Sequence, residues 1–505
     1  MEVDNDARNG IDWIAKSETL TVEIQDFING DWYPNTTAPS FTKFSPRDGR
    51  LLYGVGQGKL KEADSAISAA NAAIADGRWS KKSAQQRAEI LLRLASLVED
   101  STEELALCES IDVGKPIYDA LSIDVPKAAA TFRAYAALVG HAGGCVYADD
   151  QTNLSYMSFA PIGVVAAIVG WNFPLLLAAE KIAPALAAGN SIILKPSELS
   201  CLSAARIAEL ALKAGVPCGV FNVVHGTGEV GSYLSHHRDV DMVSFTGSSP
   251  VGKKLLVASG ESNMKRLLLE CGGKAPNIIF DDAPNLTAVA DAVVARAFWN
   301  QGQVCTASSR LLVQKNIKEE LLGYIVQKVG AITIGDPLKA DTKFGAVISD
   351  RHKKKVLNYI DIGEHEGARL AYRGPICNPC NGGSYVAPAI FDSVLPHHRI
   401  AQEEIFGPVL SIMTFEDEAE AVKLANSTTY GLSAIVWTRD VGRGHRMSRE
   451  IKAGWIVING TERPSGGPGT GILSIGGHKQ SGFGVEGGIE GLKAYMHKTS
   501  VQYFV

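Results

Sequence analysis

One cysteine of this chain keeps company that suits a nucleophile. In "FWNQGQVCTASSR", Phe298 to Arg310, Cys305 sits among glutamine, glycine and small hydroxyl residues after an apolar helical stretch. A structural cysteine acts as a small hydrophobe and normally has apolar neighbours. Here the surroundings read as a tight turn that holds the sulfur where a substrate can reach it. A thiol attacks as the thiolate, a form that a helix N-terminus or a nearby cation favours. The carbonyl so attacked needs N–H donors for the oxygen that turns negative. Asn172, in "GWNFP", offers an uncharged amide for that task, and Glu270, closing "RLLLE", offers a carboxylate to take a proton from water or from the thiol. Taken one at a time, all three residue types also fill structural roles, and sequence alone does not bring them together.

Other polar residues also fall at the ends of apolar runs. Lys195 and Glu198 follow "SIIL", and "TGSSPVG", Thr246 to Gly252, follows "DMVSF". A glycine-bracketed turn that opens a helix offers free N–H groups to a phosphate. The dinucleotide pattern G-x-G-x-x-G is absent there, so the turn by itself reads equally well as a plain strand-to-helix connection. Glu198 could clasp a pair of ribose hydroxyls with Lys195 beside it; both also read as an ordinary solvated loop pair.

The elements that must position these residues follow from periodicity. At 505 residues the chain exceeds one hydrophobic core, so at least two domains are expected. Apolar residues at helical spacing in "KEADSAISAANAAIADGRW" and "QRAEILLRLASLVEDSTEELALCES" predict a helical lead-in, preceded by a hairpin with Asn29-Gly30 at its tip. From residue 163, strands such as "GVVAAIVG", "SIILKP", "VFNVVHG" and "DMVSFTG" alternate with helices. A second alternating set includes "APNIIF", "SRLLVQ", "VLSIMTF", "SAIVWT" and "WIVIN". That alternation predicts an α/β protein with two doubly wound, Rossmann-like parallel sheets and a boundary near Gly272-Gly273. Residues 160–179 are uncharged and long enough to span a bilayer, but Gly170, Trp171, Asn172 and Pro174 interrupt them, so a buried strand, a loop and a helix start is the reading. The formal net charge of −5 gives no hint of nucleic-acid or membrane partners. Eight irregularly spaced cysteines and a start without signal-peptide order suggest reduced thiols and the cytoplasm.

"GWNFPLLLAAEKIAPALAAGN", "KPSE", "FTGSSPVG", "LECGGKAPN", "FWNQGQVC", "EEIFGPV" and "KQSGFG" resemble, in order, the serial motifs of the NAD(P)-dependent aldehyde dehydrogenase superfamily. The resemblance runs from about residue 27 to the C-terminus. It implies that Cys305 is the nucleophile, that Asn172 and the Cys305 N–H form the oxyanion hole, and that Glu270 activates the water that hydrolyses a thioester. It implies NAD as cofactor, with Lys195 and Glu198 on the adenosine ribose and Ser248 on the pyrophosphate. Glu404 would hold the nicotinamide ribose with Phe406 beside the ring, and Ile168, Trp171, Gly228 and Gly272 complete the contacts. Phe173, Leu176, Leu177, Trp299, Val304 and Thr306 would line a substrate tunnel. The implied layout has a cofactor domain at 1–138 and 160–271, a catalytic domain at 272–484, and segments 139–159 and 485–505 joining subunits into a homodimer or homotetramer. A carboxylate at Glu198 would repel a 2′-phosphate, favouring NAD over NADP.

The departures bear on substrate. Glu180 falls two helical turns after Asn172, where many relatives carry an aromatic at the tunnel entrance, and Glu462 lies at another entrance position. Carboxylates there would welcome a cationic aldehyde, and "GKPIYDALSIDVPKA" and "GESNMKR" resemble bacterial enzymes for polyamine-derived aldehydes. An ω-amino or γ-glutamylamino aldehyde is the expectation, with Glu180 paired to a local lysine as the reading against it. Ile475, in "SIGG" after the Gly/Pro-rich 463–477 loop, replaces a common phenylalanine and keeps an aromatic or general aliphatic substrate in play. A CoA-acylating enzyme commonly lacks the glutamate that Glu270 supplies, and a non-catalytic role fits poorly with an intact trio. "CNPC", Cys377 to Cys380, has metal-like spacing without a second pair, so no metal is expected.

Overall fold

A computed structural model describes residues 10–504 apart from 21, 35–38, 57–59, 148–152, 377–378 and 461–472. Two large sheets organise it. The first runs Asp31–Tyr33, Asp26–Ile28, Phe221–Val223, Ser191–Lys195, Val164–Ile168, Met242–Thr246, Arg266–Glu270 and Gly482–Phe483. Its five central strands are parallel, and the pairings at both edges are antiparallel. Val164–Ile168 and Ser191–Lys195 are buried along their whole length because helices cover both faces, which is why they read as continuous Val/Ile/Ala/Leu runs rather than alternating ones.

The second sheet holds seven strands, from Arg369–Arg373 at one edge to Trp455–Ile458 at the other, with Arg310–Gln314 and Pro276–Ile279 central. All its pairings but the Arg369–Arg373 edge are parallel. A third, three-stranded sheet pairs Asn153–Pro161 with Met496–Phe504 over nine residue pairs and with Val146–Tyr147. Tyr503 and Phe504 are exposed on it. Among the described residues no helix is long and apolar enough to cross a membrane: 160–179 is indeed strand, loop and helix start.

Two features place the functional residues. Pro174–Ala188 is a helix with nearly every residue buried; Pro174 begins it where no N–H partner is needed, and Gly189, with φ of +93°, ends it in a left-handed cap. It fixes Asn172 just before its start. The carboxyl ends of the first sheet (Ile168, Thr246, Glu270) also meet the amino ends of the second, where Cys305 precedes Arg310–Gln314 and Glu404 precedes Val409–Phe415.

Candidate active site

A cavity of about 500 Å³ lies at that junction, with Asn172, Cys305, Ser248, Gly272, Glu404 and Phe406 on its wall. The turn that carries the thiol is strained and held. Asn300, Gln301 and Gly302 are all left-handed, with φ of 49°, 58° and 71°. A non-glycine residue in that region costs on the order of 1–3 kcal/mol and persists only where its surroundings over-determine it. Here Asn300 Nδ2 donates to the Asn172 carbonyl at 3.0 Å, and Gln303 Nε2 donates to the Asn300 carbonyl at 3.2 Å. The Ile348 N–H in turn donates to Gln303 Oε1 at 2.9 Å. Any Cβ at Gly302 would lie 2.4 Å from the Gly407 carbonyl oxygen, so only glycine fits.

Asn172 is buried, and its Nδ2 donates to the Gln303 carbonyl at 3.0 Å. One of its two N–H bonds is thereby spent on orientation, leaving the second for a developing oxyanion. The Cys305 peptide packs against Gly273, where a Cβ would fall 2.3 Å from the Cys305 carbonyl oxygen. Burial, then the carboxylates of Glu404, Glu270 and Glu180, push the Cys305 thiol up to about 12, so the resting sulfur is protonated.

Glu270 lies just behind the cavity wall, 8 % exposed, with Oε1 buried and unpartnered. Burial lifts its carboxyl to about 8 against the pull of Lys181; Glu180 adds to the rise and the Gly477 N–H opposes it. Lys181 is fully buried, pairs with Glu486 and feels Glu270, Glu180 and Cys305. Glu404 Oε1 accepts from the Gly273 N–H at 2.9 Å, and a Cβ on Gly272 would meet Glu404 Oε2 at 2.4 Å.

The remaining predicted residues spread around this centre. Trp171 lines the cavity and meets Phe406 edge-on, ring centroids 5.2 Å apart. Ser248 precedes the Ser249–Glu261 helix without a side-chain capping bond, so its hydroxyl is free for a ligand. Lys195 Nζ donates to the Pro196 carbonyl and lies 3.6 Å from Glu198, which faces a second cavity of about 520 Å³. Gly228 opens the Gly228–His236 helix, and Ile168 packs beneath that helix near Gly231. Phe173 packs on Trp299 at 4.9 Å; Leu177 lines the cavity, while Leu176 and Val304 are buried beside it and Thr306 is half-buried. Glu180 sits within the fields of Lys181 and Lys127. Ile475 exchanges both backbone bonds with Glu486, and Glu462 and Cys377 lie outside the described residues. Among the described residues no group of three or more His, Cys, Asp and Glu could hold a metal.

Sequence reasoning missed Arg351, His352 and Lys355, which line the cavity, and Lys181 and Glu486 behind it. It also missed a buried acidic group behind the Phe173–Trp299 pair. There Lys115 pairs with Asp124 and lies 3.8 Å from Glu109 and 4.4 Å above the Phe173 ring, while the Trp299 indole bonds Asp119. Burial lifts both Glu109 and Asp119 to about 7.

A thiol, a donor amide and a buried carboxylate thus lie at the junction of two largely parallel sheets. The chain belongs to the aldehyde dehydrogenase family, whose sequence model matches residues 32–501. It is 43% identical over 486 residues to the NADP/NAD-dependent aldehyde dehydrogenase PuuC of Escherichia coli (strain K12), covering 96% of each chain. Among solved structures, the P. syringae indole-3-acetaldehyde dehydrogenase AldA in complex with NAD+ and IAA superposes with a TM-score of 0.94 at 42% identity, covering 98% of this chain and 99% of that one. The γ-glutamyl-γ-aminobutyraldehyde dehydrogenase of Burkholderia cenocepacia J2315 superposes at 0.93 with 42% identity, covering 97% and 98%. The fold is therefore that of the aldehyde dehydrogenases.

Proposed function

We propose that this aldehyde dehydrogenase uses Cys305 as nucleophile, Asn172 as oxyanion donor and Glu270 as base, with NAD as acceptor and a cationic amino- or γ-glutamylamino-aldehyde as substrate. The observation that carries the chemistry is the Asn172 amide, tied to the Gln303 carbonyl two residues before Cys305, with one N–H unspent. The cavity fits the cofactor: Thr246 Oγ1 is buried on its wall without a partner, Ser248 keeps its hydroxyl free, and Gly272 lets Glu404 approach the backbone. Lys195 and Glu198 would hold the adenosine ribose, Ser248 a phosphate, and Glu404 and Phe406 the nicotinamide half. When bound, NAD would supply a hydride acceptor and a positive charge. Glu198 favours NAD over NADP by charge.

Because the resting thiol is protonated, a base must take its proton, and Glu270, lifted to about 8, is suited to that. The sulfur adds to the aldehyde carbon, and Asn172 stabilises the oxyanion of the thiohemiacetal. Loss of hydride leaves a thioester on Cys305. Once Glu270 has passed the thiol's proton to solvent, it takes a proton from water as the water attacks the acyl carbon and returns it to the departing sulfur, releasing the acid and the thiol. Lys181, paired with Glu486, stabilises the ionised form of Glu270.

The substrate reading rests on Glu109, Asp119 and Asp124 gathered around Lys115 behind the Phe173–Trp299 pair. A cationic tail reaching this wall meets Glu109 and Asp119, whose carboxyls burial lifts to about 7, and draws their protons off. The aromatic pair itself favours a second reading, an aromatic aldehyde stacked on Phe173 and Trp299. NADH formation from an aminoaldehyde, a neutral aldehyde of equal length and an arylacetaldehyde, compared as kcat/KM, separates the two. Equal values for the first two, unchanged in Glu180→Gln and in Asp119→Asn, would remove the cationic reading. The sheet of Asn153–Pro161 and Met496–Phe504, with exposed Tyr503 and Phe504, supports assembly into a homodimer or homotetramer, and the composition supports a cytoplasmic enzyme.

A further inference from the structure

The helix Asp350–His365 is rich in charged residues, yet one of its faces grips the turn 403–407. His352 Nε2 lies 2.6 Å from the Phe406 carbonyl oxygen. Lys355 Nζ donates to the Glu404 carbonyl at 3.4 Å, and the Tyr359 hydroxyl donates to Glu403 Oε2 at 2.6 Å. Gly407 packs so close to Val356 that a Cβ would lie 2.5 Å from its Cγ2. Positions 352, 355, 356 and 359 are one helical stripe. The turn they hold is strained, since Phe406 has φ of +61° without being glycine. From the other side it abuts Gly302, next to the thiol-bearing turn.

His352 is the member of this stripe that reaches the site. Ser349 caps the helix through the His352 N–H, fixing the imidazole in the first turn. The ring meets Trp171 edge-on at 5.4 Å and lies 6.3 Å from Phe406, and all three line the catalytic cavity. A carbonyl oxygen only accepts, so the bond fixes the tautomer with its proton on Nε2. Burial keeps the ring well below its ordinary range, at about 4, so it remains neutral in the presence of Lys355.

We infer that His352 is a positioning residue: its Nε2–H holds Phe406 in the left-handed conformation that presents the phenyl ring to the nicotinamide half of the cofactor. This deepens the functional reading and rests on it. Removing the donor frees the Phe406 peptide to relax toward ordinary φ and takes the ring off the cavity wall. The cofactor site then loses a preorganised surface, while Cys305, Asn172 and Glu270, held by other bonds, keep their arrangement.

The test uses the full-length protein with His352→Leu, which lacks a donor, and His352→Gln, whose amide N–H can replace it. NAD binding is followed by quenching of intrinsic tryptophan fluorescence in the Cys305→Ser background. The KM for NAD, and cofactor-free turnover of p-nitrophenyl acetate as a probe of the acyl-enzyme half-reaction, are measured with the thiol intact. His352→Leu is expected to weaken NAD binding and raise its KM by about tenfold, with ester turnover changed far less, and His352→Gln to recover most of the loss. Wild-type affinity in His352→Leu overturns the inference, as does equal damage in His352→Gln, or a parallel fall in ester turnover. A wild-type protein that turns over the ester but binds no NAD sinks the cofactor reading as well, which sets that failure apart from a failure of His352 alone.

Discussion

Lys181→Met tests the proposed base through its electrostatic partner. With its carboxyl near 8, Glu270 is ionised in about one molecule in eleven at pH 7, so acyl-enzyme hydrolysis should rise about tenfold per pH unit below pH 8 and then level. The Lys181 ammonium is the largest influence opposing the burial that lifts Glu270. An opposite charge at close range lowers a carboxyl by about 1–3 units. Replacing Lys181 by methionine, which fits a buried site, therefore moves the plateau up by about a unit or more and slows hydrolysis at pH 7 by about tenfold for each unit. The assay is p-nitrophenyl acetate turnover from pH 6 to 10, with acylation and deacylation separated by stopped flow and folding checked by melting at each pH. The linkage sign gives a second readout. A carboxyl raised in the folded state stabilises the fold below its ordinary value of 4.5, and that contribution is lost as pH climbs through about 8. Glu270→Gln should accordingly melt with the wild type at pH 4 and above it at pH 9. A wild-type deacylation profile flat from pH 6 to 9, or a Lys181→Met profile superposing on it, would refute the role given to the pair.

Further expectations follow from the same geometry. Asn172→Ala removes one oxyanion donor and should reduce both NADH formation and ester turnover by roughly 100- to 1000-fold, measured as kcat. Cys305→Ser should abolish both reactions while leaving NAD affinity, read by tryptophan quenching, within about a factor of three. Gly273→Ala forces a methyl to 2.3 Å from the Cys305 carbonyl oxygen, so it should lower Tm by several degrees and depress kcat even at temperatures where the protein is folded.

The sheets were legible because parallel strands covered on both faces read as apolar runs, as in Val164–Ile168 and in the centre of Ser191–Lys195. The thiol turn was legible because Cys305 lies among glutamine, glycine and small hydroxyl residues rather than the apolar neighbours of a structural cysteine. The charge state of that thiol was not. The carboxylates that raise it come from residues 180, 270 and 404, and only the packed fold brings them to the sulfur. The Lys181–Glu486 pair spans 305 positions, and no local pattern announces it. The stripe at 352, 355, 356 and 359 stayed hidden for a different reason: "DRHKKK" is strongly polar, and two of the stripe's contacts, from His352 and Lys355, are to backbone carbonyls, which polar side chains serve best.

The chain's route after the second sheet also carries a consequence. Gly482 and Phe483 come back to pair with Glu270 and Leu269, and Ser481 accepts the Cys271 N–H at its carbonyl while its hydroxyl bridges the Gly272 carbonyl and the Gly431 N–H. This stitch lies beside the proposed base and crosses from one lobe to the other. Any clamshell movement of the lobes would have to tear it, taking the carboxylate along. The two sheets, tied together at this point, should therefore melt as one cooperative unit.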